Sequence, residues 1–269
     1  MITGLPQLRL DGRTAVITGA ARNIGAACAR RLAAEGANVV LVDVEERVHE
    51  VASEIGNDRA LSLLADVSSK AAVDKVFDRA IERFDRIEIL VNNAAIVAGA
   101  ARHFLELDEE LWDRVLAVNL KGHYLCSHRA ANHMARKGGG VIVTMSSGGA
   151  TRAHRGMASY DAAKGGIEAL TRALALDLAP YGIRTVCVVP GLVYQEGHSE
   201  EMIARTSATV PLGRPGQPGD VAAAVAFAVS DDASYINGSN IVVDGGVLVQ
   251  QRPPQIESFK PDDFPKLKI

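Results

Sequence analysis

The chain's pattern predicts an α/β domain built on a doubly wound, seven-stranded parallel sheet with helices on both faces, and three observations carry this. From residue 14 onward, short β-branched runs alternate with longer segments whose apolar residues recur at helical spacing, the alternation of strand and crossover helix. The strand-like runs number seven, at 14–18, 38–43, 60–65, 88–92, 141–145, 183–189 and 240–243. With 48% hydrophobic residues the chain can bury a full core, and no repeat or linker splits its 269 residues.

The first run passes into a small-residue turn, Thr18-Gly19-Ala20-Ala21-Arg22-Asn23-Ile24-Gly25, and then a helix expected at 24–35. Backbone N–H groups at such a turn can hold a pyrophosphate, although the same turn also serves as a plain strand-to-helix connection. The second run ends in Asp43, 18 residues beyond Gly25. A carboxylate there can accept hydrogen bonds from both hydroxyls of a dinucleotide's adenosine ribose, or simply shape a turn. Further helices are expected at 70–84, 109–137 and 160–178, the last with alanine-rich faces that permit close packing. Gly138-Gly139-Gly140 and Gly148-Gly149 flank the fifth strand as turns.

Charge and composition narrow the partners. The formal net charge is −3 and no basic run exceeds Arg136-Lys137, so the chain carries no electrostatic footprint for nucleic acid or anionic lipid. Cys28, Cys126 and Cys187 are odd in number and set in apolar or helical surroundings, which reads as reduced, buried thiols. Residues 1–6 lack the charged start and apolar core of a leader, and no stretch approaches the ~18 apolar residues of a membrane span. The expectation is a soluble, cytoplasmic protein with no membrane and no nucleic-acid partner.

Tyr160 and Lys164 stand four apart on the expected last helix and so share a face, which sets an ammonium beside a phenol. Lowering a phenol from a pKa of about 10 to near 7 needs roughly 4 kcal/mol of phenolate stabilisation. Lys164 and a cationic nicotinamide are the expected sources. Tyr160 would then exchange a proton while a cofactor exchanges hydride. Ser147 lies on the loop after the fifth strand, 13 residues before Tyr160, and offers a hydroxyl to the reacting oxygen. Each residue alone is ordinary; their joint spacing is specific. His123, His128 and His133 recur every five residues, which turns them about 140° apart around a helix, so they diverge and form no metal site. They are expected to be partly exposed helix residues.

Taken together, Thr18 to Gly25, Asn92-Asn93-Ala94-Ala95, Asn119, Ser147, Tyr160, Lys164 and Pro190-Gly191 resemble the ordered motifs of the short-chain dehydrogenase/reductase family over residues 10–246. The resemblance implies a single Rossmann-like domain with strand order 3-2-1-4-5-6-7 and a catalytic set of Asn119, Ser147, Tyr160 and Lys164. In it Tyr160 is general acid/base and Ser147 orients the substrate oxygen. Lys164 holds the nicotinamide ribose and lowers the Tyr160 pKa, and Asn119 supports a proton relay through water. It also implies a cofactor contact set of Gly19, Arg22, Asn23, Ile24, Gly25, Asp43, Asp66, Val67, Asn93, Ala94, Tyr160, Lys164, Pro190, Gly191 and Val193. A homotetramer built on paired long helices is the family expectation.

Three positions depart from the family pattern. Asn23 replaces the second glycine of the phosphate turn, tolerable because Asn enters left-handed backbone more easily than other side chains. Ala95 replaces a glycine, adding a methyl near the nicotinamide ribose. Leu192-Val193-Tyr194-Gln195-Glu196 stands where the family often carries a Thr that bonds the cofactor carboxamide, so either Gln195 substitutes or the loop runs differently.

The functional expectation is NAD-dependent interconversion of a secondary alcohol and a ketone. An NADPH-dependent ketoacyl-type reductase is the rival, favoured by Arg22 and disfavoured by Asp43, and a non-catalytic dinucleotide sensor is the other. Arg152, His154 and Arg155 in the loop before Tyr160 point to a polar or anionic substrate, or else to solvent; Arg152, His154 and Tyr194 are the candidate substrate contacts. Residues 1–246 form the expected catalytic domain. In 247–269 Ile256, Phe259, Phe264, Leu267 and Ile269 interleave with Pro253, Pro254, Pro261 and Pro265, which predicts an extended tail packed on its own or a neighbouring subunit.

Overall fold

Adjacent parallel strands need a crossover of a dozen or more residues, and this chain supplies at least one helix at each. The computed structural model describes residues 9–256. Its strands are β1 (Thr14–Thr18), β2 (Asn38–Asp43), β3 (Ala60–Leu64), β4 (Ile89–Asn92), β5 (Gly140–Met145), β6 (Ile183–Pro190) and β7 (Asn240–Val243). Its helices are α1 (Asn23–Ala34), α2 (Val48–Ile55), α3 (Lys70–Phe84), α4 (Glu109–Leu116), α5 (Gly122–Lys137), α6 (Ala158–Leu178), α7 (Glu200–Ser207) and α8 (Pro218–Val229). All seven strands pair in parallel in the order β3-β2-β1-β4-β5-β6-β7, the doubly wound arrangement expected.

Successive side chains of a strand point to opposite faces, so a sheet covered on both sides has two cores. Ala15, Ile17, Val39, Leu41, Ile89 and Val91 face α1 and α8, meeting Ala26, Ala29, Leu32, Val221 and Val225. Val16, Val40, Leu90 and Ile142 face α3 and α5, meeting Val73, Phe77, Ala130 and Met134. Cys28, Cys126 and Cys187 are buried and unpaired. Buried hydroxyls also fix α6: the Thr171 and Thr144 hydroxyls lie 2.7 Å apart, Thr185 Oγ donates to the Thr171 carbonyl at 2.8 Å, and Ser146 Oγ donates to the Lys164 carbonyl at 3.2 Å. An unpaired buried hydroxyl is costly, so these rungs set the rotation of α6 on the sheet and with it the aim of Tyr160 and Lys164.

The structure adds to the sequence expectation in four elements. The helix expected at 109–137 is interrupted by a π-helical turn, Ala117–Lys121, which carries Asn119. Helices α2 and α7 span only 8 residues each, too few for periodicity to stand out. Helix α8 is apolar on nearly every side because it lies against α1 and the sheet, so its pattern lacks a polar face. No helix among the described residues is long and apolar enough to cross a membrane.

Of the tail, residues 247–256 are described. Leu248 packs near Ile167, Cys187 and Val189, Gln250 Nε2 donates to the Thr209 carbonyl at 3.1 Å and Gln255 Nε2 to the Ala208 carbonyl at 2.6 Å. Ile256 is exposed. Residues 1–6, read for a leader, and Phe259, Pro261, Phe264, Pro265, Leu267 and Ile269 lie outside the described residues.

Two glycines make a test of the turn that joins β1 to α1. A Cβ on Gly25 would lie 1.9 Å from the Gly19 carbonyl oxygen, whereas one on Gly165, in mid-α6, meets nothing within 4 Å. Gly25→Ala should cost at least about 2 kcal/mol by overpacking, and Gly165→Ala should gain up to about 1 kcal/mol of helix propensity. Denaturant titration of both variants checks this; equal effects would mean the turn yields to the methyl group.

Candidate active site

Every residue implied for catalysis and cofactor contact lies at or just beyond the carboxyl ends of the strands. In a doubly wound sheet a crevice opens there where the strand order reverses, here between β1 and β4. The two lips of that crevice are tied together. Thr18 Oγ accepts the backbone N–H groups of Asn93 at 3.0 Å and Ala94 at 3.1 Å, and Asn93 Nδ2 donates to the carbonyls of Thr18 and Gly19, both at 3.0 Å. The approach is too close for a side chain at position 19, where a Cβ would lie 2.8 Å from Ala94 Cα. Gly19 has φ +66°, and Asn23 takes φ +48°, the left-handed backbone its side chain tolerates.

Helix α1 starts directly under this turn, and its N-cap, Arg22, makes no side-chain capping bond. The first-turn N–H groups of Ile24 and Gly25 therefore point toward the crevice with the positive end of the helix behind them. A cradle that excludes Cβ atoms and presents uncapped N–H groups fits a pyrophosphate, so Gly19, Asn23, Ile24 and Gly25 are the residues that would hold one.

Asp43 closes the crevice on the β2 side. Its Oδ2 accepts the Ala21 N–H at 2.9 Å, and its Oδ1 accepts those of Val44 at 2.7 Å and Glu45 at 3.1 Å. A carboxylate has about four acceptor positions, so three are filled from the backbone and about one, on Oδ2, remains for a ribose hydroxyl. The carboxylate thus holds the turn in shape while keeping acceptor capacity. Arg22 closes on Glu45 at 2.7 Å. Asp66 accepts from Ser68 Oγ at 2.7 Å and from Arg114 at 3.0 Å. Burial works to raise its pKa, but the bonds from Ser68 and Arg114 outweigh this and hold the carboxyl below its ordinary range. Val67 is buried against Gly122, where a Cβ would come within 2.8 Å of it.

The β5 and α6 side carries the groups for proton transfer. Tyr160 is buried, and Lys164 Nζ lies 5.4 Å from the centroid of its ring. That ammonium donates to the Met145 carbonyl at 2.7 Å, the last residue of β5. Burial lowers the Lys164 pKa to about 8, with Cys187 pulling weakly the other way. Burial also raises the Tyr160 phenol above its ordinary value, and the neighbouring Ser147 side chain works to lower it. The expected lowering of the Tyr160 pKa is assigned to Lys164 together with a cationic nicotinamide; among the chain's own groups the ammonium faces the ring and donates to the Met145 carbonyl, and burial dominates the phenol. Ser147 Oγ also accepts the Gly149 N–H at 3.2 Å. Asn119 is fully buried in the π turn and grips Ile96 from both ends of its amide, Oδ1 accepting the Ile96 N–H at 2.7 Å and Nδ2 donating to its carbonyl at 3.0 Å. That grip holds the loop after β4 beside Tyr160, with which Ile96 packs.

The remaining expected residues divide. His154 lies beside Tyr160, ring centroids 6.5 Å apart, and is held by Asp161, whose oxygens contact its backbone N–H at 2.7 Å and its Nδ1 at 2.9 Å. Arg152 instead turns away to the tail, donating to the carbonyls of Val247 at 2.8 Å and Gln250. Tyr194 lines the cavity at the phosphate turn together with Arg22, Asn23, Arg47 and Glu196, away from Tyr160. Pro190 ends β6, and Gly191 donates to the Val243 carbonyl at 3.0 Å in contact too close for a Cβ, which would lie 2.6 Å from Asp244 Cβ. Val193 bridges to Gly216, and Gln195 is exposed.

Two histidines correct the sequence reading. His123 is 1% and His133 8% exposed, because α5 packs on α3, β4 and β5 rather than presenting them to solvent. Burial, aided by the Lys164 charge, drives the His123 pKa down to about 3, so this ring is neutral. Sequence reasoning missed Asp161, Glu45, Arg47 and Glu196 as parts of the site surroundings. Asp161, next to Tyr160, and Glu45, two residues past Asp43, had local signals; Arg47 and Glu196 are joined by an ion pair between positions distant in sequence.

A family model described as enoyl-(acyl carrier protein) reductase matches residues 19–248. The chain belongs to the short-chain dehydrogenase/reductase family. This dehydrogenase/reductase is 41% identical to the meso-2,3-butanediol dehydrogenase of Serratia marcescens over 93% of its own length and 100% of the relative's. It is 35% identical to the NAD-dependent glycerol dehydrogenase of Listeria innocua, over 90% of its length and 96% of the relative's. The crystal structure of 3-ketoacyl-(acyl-carrier-protein) reductase from Brucella melitensis complexed with NADH superposes with a TM-score of 0.84 at 37% identity, covering 89% of this chain and 99% of that one. The chain is thus an oxidoreductase of this family, acting on CH–OH groups and binding a nicotinamide dinucleotide.

The buried ammonium gives this dehydrogenase/reductase a pH signature. The unfolded chain holds the Lys164 proton up to about pH 10.4, the folded chain only to about 8. Between those values the unfolded state binds more protons, so the contribution of Lys164 to stability rises with pH. A shift of this size is worth about 3 kcal/mol. The unfolding free energy of the wild type minus that of Lys164→Met should therefore climb between pH 7.5 and 10.5. Denaturant titrations across that range test it, and a flat difference would show that the ammonium is not penalised by burial.

Proposed function

We propose that the chain is an NAD-dependent dehydrogenase that interconverts a secondary alcohol and its ketone, with Tyr160 as general acid/base. The observation that carries this reading is the meeting of Tyr160, Lys164 and Ser147 beyond β5 with the glycine turn and the Asp43 carboxylate across the same crevice. A nicotinamide dinucleotide held by Gly19, Asn23, Ile24, Gly25 and Asp43 would supply hydride-accepting and hydride-donating chemistry for the carbinol or carbonyl carbon of the substrate.

The chain's own residues manage the proton. In oxidation Tyr160 Oη takes the proton of the substrate hydroxyl as the C–H electron pair leaves, and in reduction it gives that proton to the carbonyl oxygen. Ser147 Oγ holds the reacting oxygen against Tyr160. Lys164, fixed by the Met145 carbonyl under the phenol ring, supplies a positive field and is placed to bond the nicotinamide ribose. Asn119 keeps the wall beyond β4 in position through Ile96, beside the water path implied by the family. Pro190, Gly191 and Val193 form the nicotinamide side, Asp66 and Val67 the adenine side.

A small hydroxylated substrate is supported by the names of two relatives, dehydrogenases of meso-2,3-butanediol and of glycerol. His154, oriented by Asp161 beside Tyr160, is the contact we assign to a polar substituent of it. The ketoacyl reductase relative supports a second reading with an acyl substrate, but its structure is a complex with NADH, so it lends no weight to NADPH. We further infer a cytoplasmic homotetramer paired through α5 and α6, supported by the groove that Tyr124, Ala131, Leu174, Leu178 and Tyr181 line on that face. The contacts of 247–256 support a tail packed against the domain.

Tyr160→Phe removes one hydroxyl and should lower kcat at least the 10²-fold typical of general acid/base catalysis while the Kd for NAD stays within a few-fold. Turnover near that of the wild type would end the mechanism. For the cofactor, wild-type kcat/KM should favour NAD over NADP by tenfold or more. A 2′-phosphate facing Asp43 at ~4 Å meets like-charge repulsion of about 4 kcal/mol per charge pair at an effective dielectric near 20. Asp43→Ala should erase most of the ratio, chiefly by weakening NAD; equal use of both cofactors by the wild type would reject the NAD assignment.

A further inference from the structure

We propose that Glu45 is a cofactor-specificity residue, which acts by holding Arg22 away from the position a 2′-phosphate would take; this rests on the NAD reading above. A phosphate beside an adenosine ribose is recognised by guanidinium groups and backbone N–H groups. Around this crevice both kinds of donor are committed elsewhere. The N–H groups of Ala21, Val44 and Glu45 all point at Asp43. Arg22, Arg30 and Arg47 line the cavity at the phosphate turn, and each closes on a carboxylate. Arg22 meets Glu45 at 2.7 Å, Arg30 meets Glu54 at 2.5 Å and Arg47 meets Glu196 at 2.6 Å.

Of the three, Arg22 is the one placed to matter. It is the N-cap of α1, directly after the Ala21 N–H that reaches Asp43, and Glu45 lies two residues past that same carboxylate. The ion pair therefore spans the mouth of the ribose site. Arg22 and Glu45 side chains are 56% and 41% exposed, so the pair is screened and weak, and a doubly charged phosphate could compete for the guanidinium. Glu45 opposes that competition by neutralising Arg22, the guanidinium a phosphate would otherwise recruit. Asp43 sets the sign of the preference and Glu45 keeps Arg22 from reversing it.

The test is isothermal titration of NAD and NADP into wild type, Glu45→Ala, Arg22→Ala and the double variant, with kcat/KM for both cofactors alongside. Glu45→Ala should move the ratio of dissociation constants at least fivefold toward NADP. Glu45→Ala added to Arg22→Ala should move it less than twofold, because the gain requires the freed guanidinium. An unchanged ratio in Glu45→Ala, with the wild type still preferring NAD, would overturn the role of Glu45 and leave the NAD reading standing. A gain of equal size in the double variant would overturn it as well, by assigning the effect to Glu45 repulsion alone. A wild type that binds NADP more tightly than NAD would instead sink the NAD reading itself.

Discussion

At the point where the strand order reverses, one hydroxyl and one amide hold the sheet's two halves in register. Thr18 Oγ takes two N–H groups from the end of β4, and Asn93 Nδ2 returns a donor to two carbonyls at the end of β1. Chain turning away from a sheet edge leaves backbone groups that must find partners. Here the partners lie across the crevice, so both lips are built from each other. Gly19 and Gly25 permit this closeness, since a Cβ on either would collide with backbone. The start of α1, the Asp43 contact with Ala21 and the loop that Asn119 grips are all placed relative to this tie.

The crevice is electrostatically asymmetric along its length. At the β2 end the Asp43 carboxylate takes the Ala21 N–H and the Glu45 carboxylate pairs with the guanidinium of Arg22. Between the lips the uncapped start of α1 gives a positive end suited to phosphate. Beyond β5 the ammonium of Lys164 is sunk under the ring of Tyr160 with a carbonyl for its partner. Burial dominates both titrating groups there, lifting the phenol and lowering the ammonium, so each is drawn toward its neutral form. Such a pair responds strongly to any further charge brought into the site.

The polar rungs under α6 connect stability to chemistry. Thr144, Thr171, Thr185 and Ser146 are all buried, and their hydroxyl bonds pin the helix that presents Tyr160 and Lys164. Apolar packing alone would fill the same space with less directional control, whereas a hydrogen bond fixes an angle as well as a distance. The π turn at Ala117–Lys121 is a comparable device on the opposite wall, where it brings the Asn119 amide onto Ile96.

The sequence by itself determined the strands, their order through the family resemblance, and the identity of the turn, the Tyr160 and Lys164 face and Ser147, because these depend on local spacing: a period of two, a period near 3.6, and glycines where backbone must turn. It also foretold the left-handed Asn23, since only that residue's intrinsic tolerance was needed. Tertiary structure alone decided where long side chains went. Arg152 reaches the tail, Arg22 reaches Glu45, Arg47 reaches Glu196 across 149 positions, and Lys164 spends its proton on Met145. It also decided that His123 and His133 are buried. Each of these depends on which distant backbone and which amount of water surround a polar group, and neither is encoded in the spacing of residues along one element.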